Sequence, residues 1–454
     1  MKIQEQFTVN MLITMVKAPL HISRISFLIS VVLVALLMRL GLVGFVGQIR
    51  GTQMYEPLQI AKNITTGYGF SLHWQYESSI PERHKLMEEV SAPPYGTTFI
   101  PPIVPYIYSS IITIMGWNDT TLFVIMIVQA FIGALLPFFV YYATLQFFDD
   151  TASRYAAILS LVYFPVAMTA ITFSGSVLYS LFGVALLWSI GKMRNAKTST
   201  YFFAFGVVSG LLSLTRSEWY YIFFILVAII VFYRSIFFEK PYYARKLSVA
   251  VLMFFMTTGW WTTRNYQEFG RIIPVTGHPW REMWRGFNLY STGSGTNAQG
   301  LSIWEHRAEY EHIRKQLDAI PMDVSFEEKA DQIYKNEVLT FWRQHPSESI
   351  VLMIKKIVML WTIDIYYDKA NHVLYIFPQL LLCALIFIGY VNVFHKDKRS
   401  VILWGTLFVC LSSVFSLTYI LPRYQSYIFP MFLPLCGHAI QILYSKIMAM
   451  RLNP

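Results

Sequence analysis

Residues 26–46 read SFLISVVLVALLMRLGLVGFV. They carry a single charge, Arg39, and as a helix they are long enough to cross the roughly 30 Å hydrocarbon core of a bilayer. Comparable stretches recur at 119–146, 155–173, 177–191, 201–215, 219–235, 247–262, 373–394, 401–419 and 424–445. That recurrence decides the fold class: an all-α polytopic membrane protein, a bundle of about 10–12 transmembrane helices, because only internally hydrogen-bonded helices or closed barrels satisfy backbone polar groups in lipid. Composition agrees. Apolar residues make up 55% of the 454-residue chain and charged residues 14%, with a mean hydropathy of +0.46, which excludes an ordinary soluble domain. Aromatic residues at 17% fit belts at the two membrane surfaces.

The net charge of +10 lies in short turns between apolar stretches. Lys192, Arg194 and Lys197 occupy one turn, Arg234, Lys240, Arg245 and Lys246 the next, and Lys396, Lys398 and Arg399 a third, with Lys446 and Arg451 near the C-terminus. This is the positive-inside pattern of a membrane protein, and it excludes a nucleic-acid partner. Lys2, Lys17 and Arg24 precede the first apolar run with no small-residue cleavage site, so that run reads as an uncleaved anchor. Cys383, Cys410 and Cys436 fall in apolar stretches and read as small hydrophobes, with neither a disulfide nor a metal spacing. Arg39 is near enough to the outer end of its span to snorkel.

Two further apolar segments would invert every basic turn beyond them if they crossed the membrane. Residues 99–116 are interrupted by Pro101, Pro102 and Pro105, and residues 350–366 contain Lys355, Lys356 and Asp364. Both are expected to lie in the outer interface; the alternative is twelve ordinary spans with a weaker charge rule. The expected organisation is an N-terminus and first transmembrane helix (1–46), a first external loop with interfacial helices (47–118), a transmembrane bundle (119–262), a second external loop with an interfacial helix (263–372) and C-terminal transmembrane helices (373–454). Within the second loop, Ser325-Phe326-Glu327-Glu328 reads as a capping box and Pro346 as the stop of the helix it begins.

On this topology four polar groups meet the outer boundary. Glu56 follows the first span; Arg216 and Glu218 form the turn between 201–215 and 219–235; Arg264 and Asn265 cap 247–262; and Arg423 lies between the last two spans. A carboxylate with arginines at the headgroup plane suits sugar transfer from a polyprenyl-phosphate donor. The carboxylate takes the acceptor's proton, and guanidiniums match the oxygens of the departing lipid phosphate. Lys355 and Lys356 are further candidates for phosphate contact, and Tyr55, Asn63 and Tyr68 for substrate or helix-orienting contacts.

The bland readings stand beside these. An arginine at a span end is most often an interface anchor, a glutamate opening a helix can simply serve its dipole, and an interfacial lysine snorkels. His73 and His278 read as loop residues, and Glu305, His306, Glu311 and His312 form no metal motif. No cofactor is expected; a divalent cation shared by Glu56 and Glu218 is an outside alternative. A transporter or flippase would instead place charges at mid-membrane in broken helices. A third alternative is a non-catalytic assembly subunit.

The run Tyr55-Glu56-Pro57-Leu58-Gln59-Ile60-Ala61-Lys62-Asn63, closing with Gly67-Tyr68-Gly69-Phe70-Ser71, resembles the first-loop signature of GT-C-fold glycosyltransferases related to dolichyl-phosphate-mannose protein mannosyltransferases and the lipid A aminoarabinose transferase. Thr97–Tyr106 is similar to the proline-rich continuation of that loop. Trp261-Thr262-Thr263-Arg264-Asn265-Tyr266-Gln267-Glu268-Phe269-Gly270-Arg271-Ile272-Ile273-Pro274-Val275 resembles a second family run almost position by position, and His345-Pro346, Trp361, Arg423-Tyr424 and Pro430 follow in family order. The resemblance covers about residues 26–440. It implies inverting transfer of a hexose or pentose from a polyprenyl-phosphate-linked sugar to a glycan, lipid (such as lipopolysaccharide) or protein acceptor. It places the active site at the periplasmic face of the cell inner membrane, with Glu56 as base and Arg264 and Arg423 on the phosphate. Two departures stand out. Gln53-Met54 replace the acid often found before the base, and Trp284-Arg285-Gly286-Phe287-Asn288 replaces the usual stretch after the second run. The insertion at 81–89, with Glu88 and Glu89, has no family counterpart.

Overall fold

Each of the ten predicted spans falls on helix in the computed structural model, which describes residues 22–46, 56–72, 94–194, 198–295, 310–367 and 370–452. Tyr55, His73, the 81–89 insertion, Glu305 and His306 lie outside the described residues. The first helix, α1 (Arg24–Val46), is followed by α2 (Glu56–Thr65), a two-stranded antiparallel pair β1 (Ser71–Leu72) and β2 (Tyr95–Gly96), and α3 (Ile103–Met115). Next come α4 (Asp119–Ala134), α5 (Leu136–Thr144), α6 (Asp150–Val162), α7 (Ser176–Met193), α8 (Thr200–Ser213), α9 (Glu218–Phe232) and α10 (Leu247–Phe269). Between residues 263 and 372 lie α11 (Pro279–Gly286), α12 (Glu311–Asp318), α13 (Phe326–Gln344) and α14 (Pro346–Trp361). The chain ends with α15 (Val373–Phe394), α16 (Lys398–Ser416) and α17 (Leu433–Leu452).

Among the described residues, six stretches are individually long and apolar enough to cross a membrane: Arg24–Phe45, Asp119–Thr144, Ser176–Met193, Tyr375–Phe394, Lys398–Ser416 and Pro422–Met450. A seventh is the pair Asp150–Val162 and Phe164–Ile171, bent by 67°, where Pro165 opens the second piece and cannot continue the first helix's hydrogen bonding. The predicted spans at 201–215 and 219–235 are helices of 14 and 15 residues, short because the Leu214–Ser217 turn ends one and begins the other. They pack with α10 through a stacked Phe223–Phe254 pair at 4.0 Å. Arg39 does not snorkel. It is 1% exposed, donates from Nη1 to the Ala35 carbonyl at 3.1 Å, and lies against Gly133 of α4, where a Cβ would sit 2.8 Å from its Nε.

The two predicted interfacial segments are helices of 13 and 16 residues, α3 and α14. α14 presents Ile350, Val351, Ile354 and Val358 outward, an apolar row suited to lipid, with exposed Lys355 beside it. The two regions expected as loops share one apolar core: Ile60, Phe70, Leu72 and Tyr95 of 47–118 pack with Trp284, Ile313, Phe326 and Tyr334 of 263–372. α13 begins and ends where expected, but without a capping box. Ser325 gives its hydroxyl to Asp323 at 2.6 Å instead of capping the helix, and Glu328 pairs with Arg271 at 3.2 Å.

The basic turns gather at one end of the bundle. Arg194 pairs with Asp397 at 3.1 Å, and the Glu239 amide donates to the Arg194 carbonyl. Helix α7 runs from that end to Tyr179, roughly 22 Å away at 1.5 Å per residue.

Candidate active site

Glu56 occupies the first position of α2, a favourable place for a carboxylate on the helix dipole. It is half-buried, and among the described residues its carboxylate makes no hydrogen bond or ion pair. Leu58, Ile60 and Ala61 are buried beneath it. Asn63 holds the following turn by donating to the Ser71 carbonyl at 2.9 Å, and Gly67 and Gly69 supply the left-handed backbone that reverses the chain. Asn63 is therefore an internal staple, whereas Tyr68 is 57% exposed.

The second motif is also a staple. Arg264 donates to the Phe70 and Thr97 carbonyls at 3.0 and 3.1 Å and lies over the rings of Phe70, Trp261 and Phe269. Asn265 is fully buried and donates to Ile273 O at 2.9 Å; Trp261 Nε1 donates to Val275 O at 2.8 Å; and Gly270 turns the chain between them with φ +68°. The structure thus ties Arg264 and Asn265 to the first-loop strand pair and not to Arg423. Two nitrogens of Arg264 are thus occupied by backbone carbonyls, and its contact with a donor phosphate stays a proposal. The expectation that Lys356 contacts phosphate is corrected. It is 0% exposed, donates to Ser416 O at 3.1 Å and sits 3.3 Å over the Phe287 ring. Lys355 faces outward on α14, away from that interior.

Arg216 does reach the turn that carries Arg423. Arg216 pairs with Glu218 at 2.9 Å and lies 5.2, 5.1 and 5.7 Å from the ring centres of Tyr424, Tyr427 and Tyr179. Arg423, on the short 3-10 turn Pro422–Tyr424, is exposed, and Tyr424, Tyr419, Tyr427 and Glu56 all act on its charge. Among the described residues its guanidinium has no carboxylate ion pair. The turn carrying it is clamped from the second external region: Ser294 bridges Ile420, Gly295 N donates to Ile420 O at 2.8 Å, and Ile420 N to Gly293 O at 2.9 Å. Gln425 secures the other side by donating to the carbonyls of Met359, Leu360 and Thr362.

Sequence reasoning missed a second carboxylate here. Proline at the start of α11 fixes a two-turn helix, and the order Arg281-Glu282-x-x-Arg285 brings both arginines to Glu282 at 2.8 and 3.6 Å. Burial alone would push the Glu282 carboxyl up, but Arg285, Arg281, the Tyr419 hydroxyl and Arg216 together hold it below the usual glutamate range. Arg285 donates to Tyr419 and stacks 3.7 Å from its ring centre. The i,i+3 charge spacing was visible in the sequence; its partner Tyr419, over a hundred residues away, was not.

Gly286 follows directly. A Cβ there would collide with the Thr418 carbonyl and stand 2.7 Å from Lys356 Nζ. Gly286→Ala is expected to displace Arg285 and Tyr419 and to lower activity by about 10²-fold, the usual cost of an ångström-scale misplacement. Activity normalised to folded protein in membranes checks it.

A buried polar clasp joins the same elements below. Glu327 accepts from Thr98 N at 2.9 Å, from Thr98 Oγ1 and from Thr97 Oγ1, and His278 Nε2 is 3.1 Å away. His278 is therefore a buried packing partner, held below its usual pKa by burial although Glu327 acts the other way. Asp331 accepts from Trp280 N and Arg281 N at 3.0 and 3.2 Å at the start of α11. Burial nevertheless pushes its carboxyl up to about 7, from 3.8. The folded state thus favours protonated Asp331. That contribution is complete below the unfolded value of 3.8 and is lost as pH rises through about 7. Asp331→Asn keeps the acceptor oxygen without the charge. Its unfolding temperature should exceed wild type at about pH 8 by several degrees (about 2–4 °C per kcal/mol) and converge with it near pH 4. Thermal unfolding in detergent across that range decides it.

Among the described residues no three His, Cys, Asp or Glu side chains gather to hold a metal. Glu218 and Glu282 instead take guanidiniums, so Glu56 and Glu218 form no described pair of free ligands.

No family model matches this chain, and no curated protein sequence does. Solved structures do match. The archaeal oligosaccharyltransferase AglB from Archaeoglobus fulgidus, in complex with an inhibitory peptide and a dolichol-phosphate, superposes with TM-score 0.54 at 14% identity, over 94% of this chain and 51% of that one. The Archaeoglobus fulgidus oligosaccharyltransferase in complex with Zn and sulfate gives 0.51 at 15%, over 92% and 49%. ArnT from Cupriavidus metallidurans bound to undecaprenyl phosphate gives 0.41 at 12%, over 92% and 78%. The chain spans about half the length of the oligosaccharyltransferases it matches. On the first two comparisons, its fold is that of the GT-C membrane proteins.

Proposed function

We propose that this chain is a multi-pass membrane glycosyltransferase that moves a sugar from a polyprenyl-phosphate donor to a glycan, lipid or protein acceptor of the cell envelope. The reaction takes place at the face opposite the basic turns, the periplasmic side of the inner membrane. One observation carries the reading: the exposed Arg423 guanidinium, with no carboxylate ion pair among the described residues, lies in the field of a Glu56 carboxylate that makes no hydrogen bond or ion pair among them either.

In the reaction the acceptor oxygen (or amine nitrogen) attacks the anomeric carbon as the bond from that carbon to the phosphate oxygen breaks. The bonding pair leaves with the phosphate, giving polyprenyl phosphate and an inverted glycoside. The acceptor's proton passes to Glu56. Arg423, with Arg216 behind it among Tyr424 and Tyr427, stabilises the charge growing on the leaving phosphate. Glu218 fixes Arg216. Tyr68 is an exposed candidate contact, and Tyr55 immediately precedes the base. The Zn of the solved oligosaccharyltransferase belongs to that protein, and the described carboxylates at this site suit arginine better than a cation.

Mass analysis of envelope glycans from a strain lacking the protein tests the reading. One sugar substituent should disappear, return with the wild-type chain, and stay absent with Glu56→Gln. Unchanged envelope composition would exclude it.

A further inference from the structure

We propose that Glu282, with Arg285 and the hydroxyl of Tyr419, forms the subsite that recognises the glycosyl group of the lipid-linked donor, and that it selects a neutral or amino sugar over a uronic acid. The inference rests on the function proposed above and concerns the same site.

The first support is unequal exposure. The Glu282 side chain remains 34% exposed, whereas its partners Arg281 and Arg285 are 3% and 16% exposed. The guanidiniums close off the protein side of the carboxylate and leave an open edge. A carboxylate serving only to neutralise buried arginines would be covered with them. Position is the second support. Tyr419 contacts Arg285 on one side and on the other lies 6.1 Å, ring centre to ring centre, from Tyr424, the neighbour of Arg423. A sugar attached to a phosphate on Arg423 would have Glu56 and Glu282 among the described acidic groups of its surroundings, with Glu218 already paired to Arg216, and Arg216 acts on Glu282 as well as lying over Tyr424.

Charge sets the ligand class. An ionised carboxylate accepts hydrogen bonds from ring hydroxyls or an ammonium and repels a second carboxylate. Arg285 and the tyrosine hydroxyl hold that carboxylate in its ionised form. Lipid phosphate is better served at Arg423, where no carboxylate ion pair intervenes.

Binding to the full-length chain in nanodiscs tests this, using short-chain polyprenyl phosphate and its glucosyl, mannosyl, aminoarabinosyl and glucuronosyl esters. At least one neutral or amino-sugar ester should bind wild type about 10–100-fold tighter than bare polyprenyl phosphate, the worth of a hydrogen bond to a charged group, and the glucuronosyl ester should not. Glu282→Gln should erase that advantage and leave bare-lipid binding unchanged. Tyr419→Phe, which keeps the ring under Arg285, should reproduce part of the loss. Equal weakening of bare and glycosylated lipid, an advantage that survives Glu282→Gln, or no ester outbinding bare lipid would overturn the subsite. Failure of bare lipid to bind at all, or indifference of its binding to Arg423→Ala, would instead remove the phosphate site beneath it.

Discussion

Replacing Glu56 by glutamine is expected to lower sugar transfer by about 10²–10⁴-fold, the contribution of a general base, while polyprenyl-phosphate binding and thermal unfolding stay near wild type. The substitution keeps the size and hydrogen-bonding shape of the side chain and removes its basicity. Little stability should go with it. Glu56 makes no described ion pair or hydrogen bond, and a carboxylate on the first turn of a partly buried helix contributes at most about 2 kcal/mol through the dipole. Glu56→Asp, one methylene shorter, should fall between the two. Labelled-sugar transfer in membranes, normalised to folded protein, is the measurement; undiminished turnover in the glutamine variant removes Glu56 from the chemistry.

Arg423→Ala should weaken binding of bare polyprenyl phosphate by about 10²-fold, the scale for deleting one partner of a desolvated charged hydrogen bond. The guanidinium is exposed, set among Tyr419, Tyr424 and Tyr427, and free of any described carboxylate pair. A phosphate would therefore displace water and not an existing ion pair. Arg423→Lys should recover only part of the affinity, since a lysine offers a point charge in place of a bidentate fork. The donor KM should rise in both variants, and the wild-type advantage should shrink with added salt. A change confined to acceptor affinity would contradict the assignment. Arg264→Ala makes the contrast: its donors hold the Phe70 and Thr97 carbonyls, so its loss should appear as instability of the first external segment.

The motifs most legible in the sequence prove to be mainly architectural. The run from Trp261 to Val275 is specific because Trp261, Asn265 and Gly270 jointly fold it back on itself. Asn63 in the first-loop run does the same for the turn to Ser71. Within the first-loop run, Glu56 makes no hydrogen bond or ion pair among the described residues. Lys355 and Lys356 could not be told apart in the linear chain, because adjacent residues on a helix point about 100° apart and only packing says which side is interior. Glu282 was overlooked for a related reason: an acid between two arginines on a short helix reads as a solvated charge pair until Tyr419 arrives from the far end of the chain.

The amino-acid sequence alone determined the class of this protein, its helical segments and the gathering of basic turns at one end. Each of these follows from local quantities, apolar length and charge per turn, that lipid and water read directly from consecutive residues. Only the tertiary structure decided which polar side chains face one another. It joined Arg216 to Tyr424 and Tyr427, brought Arg423 into the field of Glu56, and turned Arg264 and Lys356 inward. Such pairings depend on contacts between residues hundreds of positions apart, and close packing of the whole chain, rather than any local pattern, fixes them.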